Sequence, residues 1–267
     1  MHFNLPHQQY RLLLSLLLLT VPAVPAVAGS WWQPQGILDW DWQLQPPHNF
    51  DRKVQIIDLD LFDISRETIE ALQQSGTKVV CYINVGAWED WRADAGIFPP
   101  EILGNDYEGW AGEKWLDIRR RDSLAPIMLA RLDLCAAKGF DGVEPDNMDL
   151  HNEETGFEIS RQDQLVYNIW LAEEAHSRGL SIGQKNAPDL ARDLVVHFDW
   201  ALTEDCFTEG WCQEMSPFLD VGKAVFAAEY TDRQQTIAPY CQKAKQTGIS
   251  LILKNRELTR ITGASCP

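Results

Sequence analysis

Short runs of β-branched and aromatic residues alternate along this chain with stretches of helical character. Eight runs predict strands: Trp40 to Leu44, Val54 to Leu59, Lys78 to Asn84, Gly142 to Asp146, Leu180 to Lys185, Trp200 to Glu204, Ala224 to Glu229 and Ile249 to Lys254. Between several of them the order is helix, glycine, strand, as at Gly76, Gly139, Gly179 and Gly248, where glycine can take the left-handed conformation that ends a helix. The first helix starts at Ser65, a candidate N-cap, with Glu67 in its first turn and Ile69 and Leu72 on one face. Eight strands alternating with helices, with no linker or low-complexity tract, predict an α/β fold: a single (β/α)8 TIM-type barrel, whose usual length is ~250 residues. A doubly wound open sheet is the competing fold, but neither G-x-G-x-x-G nor G-x-x-x-x-G-K-[ST] occurs. Trp115 to Arg119 is read as part of an excursion between the third and fourth strands.

Residues 1–28 are set apart from this pattern. Arg11 precedes an apolar run from Leu12 to Leu19, then two prolines and the small-residue stretch Ala26-Val27-Ala28, the order of a cleaved secretory signal. The run falls short of the ~20 residues of a spanning helix. The barrel domain is therefore expected over residues 29–267, secreted or periplasmic, with no membrane attachment after cleavage.

The chain of 267 residues has 23 basic against 39 acidic residues, a formal net charge of −16. Nucleic acid is excluded as a partner, because binding it needs a basic footprint that displaces counterions. A neutral or cationic partner fits better. Export places the six cysteines in an oxidising compartment. Cys206 with Cys212 and Cys241 with Cys266 are the favoured disulfides; for Cys81 a buried free thiol and a bond to Cys135 are equally open. The histidines at 48, 151, 176 and 197 form no H-x-H or H-x-x-x-H pair and the cysteines no C-x-x-C, so neither metal nor cofactor is expected.

In a parallel barrel the chemistry lies at the C-terminal strand ends. Here almost every predicted strand ends in polar residues: Asp58 and Asp60, Asn84, Asp146 and Asn147, Lys185 and Asn186, Glu204 and Asp205, Glu229, Lys254 and Asn255. Without a G-x-S-x-G motif, a carboxylate-rich rim points to glycoside hydrolysis, which needs one protonated and one ionised carboxyl group flanking a bond. Eleven tryptophans, among them Trp40, Trp42, Trp88, Trp91 and Trp211, are candidate sugar-stacking surfaces, each equally readable as a core aromatic.

The segments Gly139 to Asp149 (GFDGVEPDNMD), Cys81 to Trp88 (CYINVGAW) and Glu113 to Arg119 (EKWLDIR) resemble glycoside hydrolase family 114, the endo-α-1,4-polygalactosaminidases, as do Gln184-Lys185-Asn186, Thr203 to Cys206 and Phe226 to Tyr230. The resemblance implies a (β/α)8 barrel that cleaves α-1,4 linkages in galactosamine-containing polymers, with an Asp ending the fourth strand and a Glu ending the sixth. These fall on Asp146, read as nucleophile, and Glu204, read as general acid/base, in a retaining mechanism; the roles are exchangeable at this stage. The candidate substrate-binding set is Asp58, Asn84, Trp88, Glu144, Lys185, Asn186, Asp205, Glu229 and Tyr230. Glu144 is also a candidate support or partner of Asp146, Glu229 is the second choice of acid, and for Lys185 a structural salt bridge with the rim acids is favoured over a substrate contact. The expected partner is a polysaccharide, cationic where partly deacetylated. Two alternatives stand beside this reading, a non-catalytic polysaccharide-binding barrel and a Ca2+-dependent hydrolase.

Overall fold

Eleven strands form in the computed structural model, which describes residues 1–2, 30–234, 236–259 and 265–266; the expected signal segment lies almost wholly outside them. In chain order they are β1 (Trp40–Gln43), β2 (Ile56–Asp60), β3 (Lys78–Asn84), β4 (Ala87–Glu89), β5 (Leu103–Asp106), β6 (Glu113–Leu116), β7 (Gly142–Asp146), β8 (Ser181–Lys185), β9 (Trp200–Glu204), β10 (Val225–Tyr230) and β11 (Ile249–Lys254). Seven helices pack around them: α1 (Arg66–Gln74), α2 (Arg121–Lys138), α3 (Arg161–Ser177), α4 (Ala191–Leu194), α5 (Cys206–Glu209), α6 (Ser216–Asp220) and α7 (Ala238–Thr247). The eight predicted strands are the barrel, in the order β1-β2-β3-β7-β8-β9-β10-β11, and every ladder is parallel.

Local chemistry accounts for the boundaries. Ser65 caps α1, accepting from the Thr68 N–H at 3.2 Å, and Gly139 ends α2 with φ at 92°, a conformation that strains any residue with a Cβ. Alternate strand residues divide between two cores. Ile57, Leu59, Cys81, Ile83, Val143, Ile182 and Ala227 face the helices; Trp40, Trp42, Ile56, Val80, Tyr82, Trp200, Phe226 and Ile252 fill the barrel. Gly183 is required at its position, because a Cβ there would lie 2.3 Å from the Trp200 ring.

The excursion after β3 builds its own antiparallel sheet in the order β4-β6-β5, so Trp115 and Leu116 are in a strand outside the barrel. Cys81 pairs with Cys135, tying β3 to α2 and closing the alternative the sequence left open; Cys206–Cys212 and Cys241–Cys266 also form. Among the described residues no ladder joins β1 to β11: the Trp40 indole donates to the Ser250 carbonyl at 3.0 Å, and the tail returns so that Ser265 bridges Ile252.

Candidate active site

Lys185, at the end of β8, is buried at the top of the barrel and carries a hydrogen bond or ion pair to each of three carboxylates. Its Nζ lies 2.8 Å from Glu144 Oε1, 2.9 Å from Asp146 Oδ1 and 3.3 Å from Glu204 Oε2, and 4.6 Å from the centre of the Trp42 ring. Burial alone would lower its pKa, but Asp146, Glu144 and Glu204 outweigh that and raise it, so the ammonium is permanent. Asp146 also accepts from the Tyr82 hydroxyl at 2.9 Å. Glu204 accepts from the Tyr230 hydroxyl and from Asn186 Nδ2, the latter at 3.0 Å. Burial, with Asp146 beside Tyr82 and Glu204 beside Tyr230, raises both phenol pKa values and keeps them donors.

Both carboxylates open onto a cleft of 720 Å³, with side chains 22% and 26% exposed. Trp42, Tyr82, Trp91, Tyr107, Trp110 and Tyr230 supply its aromatic walls, and Glu89, Glu113, Asp149, Glu153 and Arg92 its charge. Burial, reinforced by Glu153 and Asp146, raises Asp149 to about 7. Burial, reinforced by Glu89 and Asp146, raises Glu113 to about 8. Arg92 joins Glu89 and Asp60 at 2.8 and 2.7 Å, holding the β3–β7 excursion against β2.

Of the sequence-nominated residues, Asp146, Glu204, Lys185, Asn186 and Tyr230 come together on the cleft. Asp58 and Glu144 lie beneath it, 2% and 0% exposed. Asn84 faces inward, its Oδ1 accepting the Ala87 N–H at 2.7 Å. Asp205 pairs with Arg256 at 2.8 Å. Glu229 accepts the Phe207 and Thr208 N–H groups at 2.8 and 3.1 Å, capping α5. Trp88 lines a separate groove shared with Tyr107 and Trp110; of the other tryptophans, Trp42 and Trp91 reach the cleft, Trp40 fills the barrel and Trp211 packs on the outer core.

Sequence reasoning missed Tyr82, Arg92, Tyr107, Glu113 and Asp149 as site residues. Tyr82 was within reach, since it lies two residues before Asn84 on the same face of β3. A backbone signal marks the rim as well: Asn147, Asn186 and Asp205, each directly after Asp146, Lys185 or Glu204, have φ of 62°, 44° and 52°. Left-handed backbone is uncommon outside glycine, though Asn and Asp tolerate it best, and it concentrates at functional sites.

The model of glycoside-hydrolase family GH114 matches residues 21–266. The chain belongs to that family. As a GH114 member it is a glycoside hydrolase. A solved relative, Ega3 of Aspergillus fumigatus in complex with galactosamine, is 34% identical and superposes with a TM-score of 0.80, over 86% of this chain and 96% of that one. The glycoside hydrolase domain of PelA from Pseudomonas aeruginosa shares the fold at 13% identity and a TM-score of 0.68, over 85% and 100% of the two chains. An uncharacterized protein of Deinococcus radiodurans is 25% identical over 209 residues, 70% of this chain and 67% of its own.

Proposed function

We propose that this GH114 protein is an exported endo-acting hydrolase of α-1,4 linkages in galactosamine-containing polysaccharide, working with retention through Asp146 and Glu204. One observation carries the mechanism: both carboxylates rest on one ammonium, so their nearest oxygens are no further apart than the sum of 2.9 and 3.3 Å. That bound admits the ~5–5.5 Å spacing of retaining pairs, the geometry adopted here. Asp146, which accepts hydrogen bonds from Lys185 and Tyr82, attacks the anomeric carbon while Glu204, in its acid form, gives its proton to the departing oxygen. Glu204 then takes a proton from the water that breaks the glycosyl–Asp146 bond.

The likeness to Ega3, a structure holding galactosamine, supports the sugar. The acidic walls support a polymer with free amino groups: an ammonium near Asp149 and Glu113 would draw off the protons that burial keeps on them. The export reading is supported by the Arg11–Ala28 pattern and three disulfides.

The test is release of soluble oligosaccharides from an α-1,4 galactosamine polymer by residues 29–267, beside Asp146→Asn and Glu204→Gln. Release by the wild type alone, with NMR showing the product's anomeric configuration retained at first, is the expected result. Binding without cleavage would replace this reading with a non-catalytic polysaccharide-binding barrel.

A further inference from the structure

Beneath Lys185 lies a pair of carboxyl groups that the two-carboxylate chemistry leaves unused. Asp58 on β2 and Glu144 on β7 are 2% and 0% exposed, and their carboxyl groups face each other in that closed space. Glu144 Oε1 accepts from Lys185. Among the described residues, no N–H or O–H donor reaches Glu144 Oε2 or either oxygen of Asp58. Two ionised carboxylates have no hydrogen to share, so this contact, in a place closed to water, needs one proton. Glu144 already has an ammonium on its other oxygen and Asp58 has none, so the proton belongs on Asp58.

We infer that Asp58 is held as a carboxylic acid, that its O–H donates to Glu144, and that this hydrogen bond is the positioning element that keeps Lys185 under Asp146 and Glu204. The ammonium donates to Glu144 and Asp146 and pairs with Glu204 at 3.3 Å. Ionising Asp58 would add a negative charge beneath the cation and draw Lys185 down, away from the rim.

The groups facing Asp58 are few. Glu144 and Lys185 come from β7 and β8, and Asp60, two residues on, is paired with Arg92. From β3, Tyr82 gives its hydroxyl to Asp146. On β1 the residue in register is Trp42, and the neighbouring Asp41 is paired with Lys254 of β11 at 2.9 Å. Burial first, then Glu144, raises the Asp58 pKa well above the ordinary carboxylate range.

The kinetic half of the test rests on the glycosidase reading; the proton is read without substrate. In protein carrying 13C-labelled aspartate, one side-chain carboxyl should remain protonated at about pH 8, above the range in which Asp149 titrates, and that signal should vanish in Asp58→Asn. Asn keeps a donor toward Glu144 and cannot ionise, so Asp58→Asn should hold kcat within about threefold of wild type and move its alkaline limb upward. Asp58→Ala should lower kcat about tenfold or more with KM little changed, the scale of losing a hydrogen bond to a charged group. No protonated Asp carboxyl at about pH 8 in the wild type overturns the inference, whether or not the variants fold. An unmoved alkaline limb in Asp58→Asn, or equal losses in folded Asn and Ala variants, overturns it too. If the wild type releases no oligosaccharide, the glycosidase reading falls and the carboxyl titration still locates the proton.

Discussion

The lower and upper halves of the barrel interior are built from the inward-facing positions of one set of parallel strands, yet their chemistry is opposite. Below, Trp40, Trp200, Phe226, Ile56 and Ile252 fill the space, with the Trp40 and Trp200 rings 5.3 and 5.6 Å from Phe226. Above, Asp58, Glu144, Asp146, Lys185 and Glu204 form a network of charge roofed by two phenols. The lower half contributes apolar burial at roughly 25 cal/mol per Å2. The upper half contributes little net stability, since the desolvation of buried ions offsets their attraction. The barrel's foundation thus supports a site that could not support itself.

Removing the cation is the sharpest way to break this contrast. Lys185→Met should abolish oligosaccharide release and lower stability by ~3–5 kcal/mol in chemical denaturation, since it strands Glu144 in an apolar interior. Trp200→Ala should match that destabilisation, ~3–5 kcal/mol, while the folded fraction keeps kcat within a few-fold; a collapse of kcat there would mean the halves are not separable. Gly183→Ala, which presses a methyl group on the Trp200 ring, should lower stability by ~1–3 kcal/mol and leave the pH–rate profile unmoved.

The smallest effect is in the pH dependence of stability. Asp149 is raised to about 7 in the folded protein, so the native state holds its proton more tightly than the unfolded chain does. Its contribution is complete below the ordinary Asp pKa of ~3.9 and is lost as pH rises through about 7. Melting temperature should therefore fall across that window, and Asp149→Asn should flatten the fall. An equally steep fall in the variant would put the titration elsewhere.

The barrel was legible in the sequence because most of its strands are short β-branched or aromatic runs, and the rest are set off by a preceding helix-ending glycine and a polar strand end. Bounds moved by one or two residues at β1, β2, β8 and β10, where the ladder rather than composition decides the end. The β4-β6-β5 sheet was not legible as a sheet. Its strands have 3, 4 and 4 residues, and its pairing partners, such as Trp88 with Lys114, carry no signal until they meet. At the site, strand-end position found the carboxylates and the lysine but not their neighbours' tasks. Glu229 and Asp205 end strands as Asp146 does, yet α5 and Arg256 engage them. Glu113 and Asp149 reach the cleft from loops and the added sheet, which strand-end reasoning does not address.

The seam between β1 and β11 gives the third disulfide a meaning beyond loop entropy. A sheet that ends without a ladder leaves unpaired N–H and C=O groups that can recruit a strand from another molecule. Here the chain's own tail occupies that position, with Ser265 bridging Ile252, the Cys266 N–H donating to the Leu251 carbonyl at 3.2 Å, and Cys241 tethering it. The bond is thus a latch on self-association, closed where disulfides persist and released under reducing conditions, where the freed edge would favour aggregation.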